Sequence, residues 1–230
     1  MKTMRKWLAI LTLTAFLFHG QALAQGSEGM LIYQIDGNRY LRKNYDAKGV
    51  LKNYQTIEVG KLNVSKGVIE SKMTVISYGK NDKLLNASQT TIRCNPEAQE
   101  VLMGIFPFAG GKSNQSLKIE MPEGEGLYPA GWQQKSTLPD FNFRLKLKGG
   151  AAGFFGTESR TAISERKVSP QRDGTYRVSG KMKLTALVAG FRISTTVYDY
   201  AEDIDPKKGI VRQDFRENNG AYFTIELTEK

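Results

Sequence analysis

The chain has 230 residues, with 33 Lys and Arg against 23 Asp and Glu, a formal net charge of +10. It holds one histidine, His19, and one cysteine, Cys94, so no internal disulfide can form. The basic residues are scattered (Lys66, Lys72, Lys80, Lys83 and Arg93 fall on separate strands or turns) and make no stripe of the kind that binds nucleic acid.

The first element is a leader. Lys2, Arg5 and Lys6 precede an apolar run from Trp7 to Phe18, too short to span a bilayer comfortably. Ala22-Leu23-Ala24 then forms an A-x-A-type cleavage site. This pattern predicts a cleaved secretory signal over residues 1–24 and a single mature domain over 25–230. No cysteine follows the apolar run, which argues against a lipoprotein signal. The leader takes three basic residues, no acidic one and His19, leaving 30 basic against 23 acidic residues, a net +7. A mature chain without histidine has no Ser-His-Asp or Cys-His site and no histidine-bearing zinc site. The expected location is the periplasm, with secretion as the alternative.

Almost every later segment alternates at period two, the mark of half-buried strands. Strands are expected at Met30 to Ile35, Arg39 to Tyr45 and Val50 to Val59, the last two flanking the turn Asp46-Ala47-Lys48-Gly49. Gly60 reads as a bulge. Val68 to Tyr78 and Leu84 to Cys94 make the next pair. Residues 95–104 then read as a short helix: Asn95 caps it, Pro96 takes the first helical position and Gly104 ends it. Strands resume at Ser116 to Met121, Asp140 to Lys148, Thr157 to Val168, Thr175 to Leu187, Phe191 to Tyr200, Gly209 to Phe215 and Ala221 to Leu227. Short connections predict an antiparallel meander. The expected fold is all-β: a curved antiparallel sheet or incomplete barrel, with the helix covering an open face or edge.

Several segments in this order resemble a known family: "YDAKGVLKNYQTIEVGKL" (Tyr45 to Leu62), Cys94 leading into the helix, "LYPAGWQQKSTLPD" (Leu127 to Asp140), "ERKV" (Glu165 to Val168) and "KKGIVRQDF" (Lys207 to Phe215). Together they look like the TapB family of exported Gram-negative envelope proteins. The resemblance covers most of the mature chain and rests on order and spacing. It implies a half-barrel similar to that of the lipoprotein carriers LolA and LolB. It brings no catalytic residue with it. This chain lacks the second cysteine that the family pattern implies near Gln171 to Tyr176.

The chemistry-bearing residues are few. Glu123 with Glu125, and Asp203 with Asp205, are the carboxylate pairs that a histidine-independent hydrolase could use, but both lie in turn-like sequence and read as solvated loops. Pro206 and Lys207 interrupt any calcium loop at Asp203 and Asp205. Gly149-Gly150-Ala151-Ala152-Gly153 is not followed by a helix, so it is no phosphate cradle. No cofactor is expected, and Cys94 reads as a small buried side chain.

Binding is the better expectation. Phe141, Phe143, Leu145 and Leu147 would line a concave face, with Tyr176, Val178, Met182 and Leu184 and with Phe191, Ile193 and Val197. Alternation alone does not separate a lined face from a packed one. Phe106, Phe108, Phe154, Phe155 and Phe191 lie beside glycines at predicted element ends, where apolar side chains mark an interaction surface. Lys112, Lys148 and Arg192 would add a cationic rim. The expected partner is a lipid or acyl chain, with another envelope protein as the alternative, and peripheral membrane contact follows from the same rim.

Overall fold

A computed structural model of the chain describes residues 35–65, 68–94, 115–120, 127–128, 131–148 and 157–229. The predicted helix over 95–104, the strand over 30–34, Glu123, Glu125 and the segment 149–156 lie outside these residues. The described residues contain no α-helix, only a 3-10 turn at Trp132–Gln134.

Twelve strands form one sheet: β1 (Arg39–Tyr45), β2 (Leu51–Val59), β3 (Asn63–Ser65), β4 (Val68–Gly79), β5 (Leu84–Cys94), β6 (Gln115–Glu120), β7 (Phe141–Lys148), β8 (Thr157–Pro170), β9 (Tyr176–Val188), β10 (Phe191–Asp205), β11 (Gly209–Glu217) and β12 (Tyr222–Glu229). Their order is β2-β1-β12-β11-β10-β9-β8-β7-β6-β5-β4-β3. The curved, all-β, largely antiparallel sheet expected from the alternation is what forms.

Two details go beyond that expectation. β2 also pairs with β4, from Asn53↔Gly79 to Val59↔Met73, a ladder that links one end of the strand order to the strand next to the other end. β5 and β6 run parallel over Thr90↔Gln115 to Arg93↔Lys118. A parallel pair needs a crossover of about a dozen residues or more, and residues 95–114 supply that length.

Glycines allow the tight turns. Gly49, at φ 79, closes the β1–β2 hairpin, where the Asp46 side chain accepts from the Lys48 and Val50 N–H groups. Gly60 donates to the Lys72 carbonyl at 2.7 Å, and a Cβ there would stand 2.9 Å from that oxygen. The expected bulge is thus a strand break that separates β2 from β3 along the edge of β4.

β8 carries an irregularity that decides what lies inside. Glu165 sits at φ 56, and the register with β9 shifts between Ser164 and Lys167. Thr161 and Ile163 face inward before the shift; Arg166 and Val168 face inward after it. The inward side chains pack in two clusters. The larger includes Tyr40, Ile57, Phe141, Phe143, Met182, Phe215 and Phe223. The smaller, near the 171–175 and 206–208 turns, joins Trp132, Leu138, Val168, Val178, Ile204 and Ile210. Residues 136–138 continue the edge of β7 along β8, with Leu138 donating to the Arg166 carbonyl and Val168 to that of Ser136.

Candidate functional site

Between the two clusters lies a buried polar network. Glu202 accepts hydrogen bonds from Tyr128 and, at 2.6 Å, from the Gln213 amide. Arg166, 2% exposed, donates to the Leu127 carbonyl and, at 3.1 Å, to that of Pro139. Its guanidinium lies 5.5 Å from the Tyr128 ring centroid. Burial raises the Glu202 carboxyl, against hydrogen bonds from Tyr128 and Gln213 that lower it. Burial also pushes Tyr128 and Tyr200 well above the ordinary tyrosine range, with the Glu202 carboxylate acting in the same direction. The role of this network is to tie residues 127–140 to the sheet. It is enclosed by apolar side chains on both sides.

The upper interior, beneath the β1–β2, β4–β5 and β11–β12 turns, differs. The register places Arg42 opposite Gln55, Asn44 opposite Asn53, and Gln55 opposite Ser77. These share the inward face of Tyr40 and Ile57, yet they are half-buried rather than buried. Asn44 donates to the Asn53 carbonyl oxygen at 2.7 Å, Gln55 to the Ser77 hydroxyl at 3.0 Å, and Arg42 Nε to Asn44 Oδ1 at 3.0 Å. The Arg42 guanidinium sits 4.0 Å above the Phe223 ring. Phe223 stacks on Phe215 at 4.7 Å and meets Tyr198 edge-on at 5.7 Å. Burial lowers the Arg42 guanidinium to about 10, with Tyr198 opposing. A guanidinium, three amides and a hydroxyl therefore form a half-buried polar strip on the inward face, with the guanidinium over the Phe223 ring. Barrel mouths, apolar below with a few convergent polar groups, are where small ligands bind.

The residues expected at the rim divide. Phe106, Phe108, Lys112, Phe154 and Phe155 lie outside the described residues, and for Lys148 only the backbone is described. Phe191 is 78% exposed and Ile193 65%, with Arg192 exposed between them. That confirms Phe191 as an exposed apolar side chain and overturns Phe191 and Ile193 as an inner wall. The cause is the length of the β9–β10 hairpin: β11 reaches β10 only at Tyr198↔Glu217, so Phe191 to Val197 overhang it. By contrast, Phe141, Phe143, Val178 and Met182 are buried on the inner face as expected. There they touch each other and the facing strands, filling the space rather than lining it.

Asp203 and Asp205 do not form a reactive pair. Asp203 lies within β10, where Arg177 grips both carboxylate oxygens at 2.7 Å; the solvated-loop expectation fails for it. Asp205 accepts from the Lys207 and Lys208 N–H groups and closes the 206–208 turn.

The mouth escaped sequence reasoning. Its signal was there: Tyr40, Arg42 and Asn44 share one parity, and so do Asn53, Gln55 and Ile57. Polar residues at core parity on two hairpin-connected strands indicate an inward polar strip.

No family model and no curated protein matches the chain. Among solved structures, the chain is similar to a candidate exported protein with a YmcC-like fold from Bacteroides fragilis. The identity is 18%, with 84% of this chain and 94% of the other covered and a TM-score of 0.47. It is also similar to a candidate lipoprotein from Parabacteroides distasonis, at 16% identity, with 85% and 95% covered and a TM-score of 0.44.

Proposed function

We propose that this is an exported, non-catalytic binding protein of the cell envelope that takes an amphiphilic, lipid-like ligand at its upper mouth. The observation that carries the reading is the half-buried strip of Arg42, Asn44, Asn53, Gln55 and Ser77 above the Phe223–Phe215 stack. A ligand with a hydrogen-bonding head and an apolar body meets amides and guanidinium first, and aromatic surface next. The leader over residues 1–24 supports export, and the segments that resemble the TapB family support an envelope role. The absence of chemistry in this reading rests on the roles of Asp203, Asp205, Glu202 and Arg166, all of which hold the fold together.

The test uses protein without residues 1–24. Lipid extraction followed by mass spectrometry should recover a bound amphiphile, and a fluorescent lysophospholipid should bind. Arg42→Met combined with Asn53→Leu removes two polar groups from the mouth and should weaken the probe by about tenfold or more, since each lost hydrogen bond to a charged or amide group is worth about 1 kcal/mol or more. Wild-type protein that retains no lipid and binds no probe ends this reading.

A second reading has its own observation. The exposed Phe191 and Ile193 favour contact with another envelope protein. Phe191→Asp should then abolish a specific crosslink to that partner while leaving the lysophospholipid affinity unchanged.

A further inference from the structure

Among the described residues, the large apolar side chains left exposed gather at one end of the sheet. They are Val50, Val64, Leu84, Leu85, Phe191 and Ile193, each more than half exposed. Val64 lies on β3. The other five sit at three hairpin turns: Val50 at β1–β2, Leu84 and Leu85 at β4–β5, and Phe191 and Ile193 at β9–β10. The ladders place these turns at a common end. Tyr45 pairs with Tyr222, Asn53 pairs with Gly79, and β10 leaves β11 at Tyr198 on the way to its own turn. Each tip also carries exposed cations. Lys48 and Lys52 flank Val50, Lys83 precedes Leu84, and Arg192 separates Phe191 from Ile193. With Lys80 they outnumber Asp46, Asp82 and Glu217 at the same turns. Those three carboxylates are taken up locally, by Lys52, the Tyr54 hydroxyl and the Asn219 amide.

We propose that this end of the protein rests on an anionic lipid surface, with the three tips reaching into the head-group layer. An interfacial element sinks about 5–10 Å, its apolar side chains meeting the acyl boundary and its cations the anionic lipids. The tips suit that depth. The Asp46 N–H donates to the Val50 carbonyl at 3.1 Å, and the Gly79 N–H to the Lys83 carbonyl at 2.8 Å. These turns therefore satisfy backbone groups that would be costly to strand away from water. A protein partner fits less well. The cores of protein interfaces are depleted of lysine, whereas here lysines alternate with apolar side chains on separate tips. The contact needs no ligand at the mouth, so it goes beyond the reading above.

Vesicle flotation tests this. Protein without residues 1–24 should float with mixed phosphatidylcholine–phosphatidylglycerol vesicles, and less with pure phosphatidylcholine or in high salt. Leu84→Asp with Leu85→Asp should weaken binding to the mixed vesicles by about tenfold or more, through lost apolar burial and added negative charge. Lys80→Glu with Lys83→Glu keeps the apolar side chains and should weaken it by about tenfold or more through charge alone. Val64→Asp is the control. Val64 is as exposed as Leu85 but pairs with Ile69, at the other end of β4, so binding should stay within about twofold of wild type, because the surface potential decays within a Debye length. Circular dichroism melts check that each variant folds. Wild-type protein that ignores mixed vesicles overturns the proposal, as do tip variants that float like wild type. A loss in Val64→Asp equal to that of the tip variants overturns it too. Protein that ignores vesicles yet crosslinks through Phe191 to an envelope protein replaces the lipid surface with a protein contact. Affinity for monomeric lysophospholipid should be unchanged in Leu84→Asp with Leu85→Asp, so this proposal and the ligand reading fail separately.

Discussion

Single residues in this protein are constrained by what lies across the strand from them. Gly180 stands opposite Tyr200, and a Cβ at position 180 would fall 2.6 Å from the Ser164 carbonyl and 3.0 Å from the Tyr200 ring. Backbone on one side and a buried ring on the other cannot both yield. Gly180→Ala should therefore cost about 1–3 kcal/mol in denaturant unfolding, although the strand itself would prefer alanine. Glu202 has the opposite character, because its partners are matched to it. Glu202→Ala strands the Tyr128 hydroxyl and the Gln213 amide, at about 1–3 kcal/mol. Glu202→Gln keeps an acceptor for Gln213 and lets Tyr128 accept instead of donate. The pH dependence follows from the sign of the shift. The folded carboxyl is raised above its unfolded value, so the folded state holds the proton more tightly. Stability falls as pH rises from the unfolded value through the folded one. Melts of Glu202→Gln across the same pH range should lack that decline.

Elements show why some readings held and others did not. The hairpins are legible because turn chemistry and alternation agree: Asp46 to Gly49 closes its ladder where expected, and Asp173-Gly174 and Asn219-Gly220 lie between the strands expected on either side of them. β3 was too short to show a period. Asp203 reads as a loop residue because the sequence around it is polar and turn-like, yet β10 runs on to Asp205. The parity switch in β8 was invisible, since nothing in "SERKVSP" marks Glu165 as the residue that takes positive φ. Arg166 faces inward only because of that switch, and there it holds the carbonyls of Leu127 and Pro139. Arg166→Leu should free residues 127–140 and cost roughly 3–5 kcal/mol, the usual loss when one member of a buried charged network is removed. Trp132, packed against Tyr128 and Tyr176, reports the change. With Trp7 in the leader, it is the sole tryptophan of residues 25–230. Its emission should shift to the red in Arg166→Leu under native conditions, whereas Gly180→Ala should leave it in place.

At the scale of the whole molecule, composition and alternation carried the fold class but not the functional face. Period-two patterning separates inside from outside. It does not say which part of the inside is full, and the large aromatic residues that invited a cavity are the ones that fill it. The polar strip of Arg42, Asn44, Asn53, Gln55 and Ser77 lies at inward positions, which a search for apolar stripes passes over. β1 pairs with β12 over Arg39↔Glu229 to Tyr45↔Tyr222, so the first described strand of the sheet waits for the last. A chain threaded across a membrane from its N-terminus cannot complete this ladder until residues 222–229 have also crossed. The β1–β12 ladder is therefore a late contact in folding, whereas the local hairpins need no distant strand.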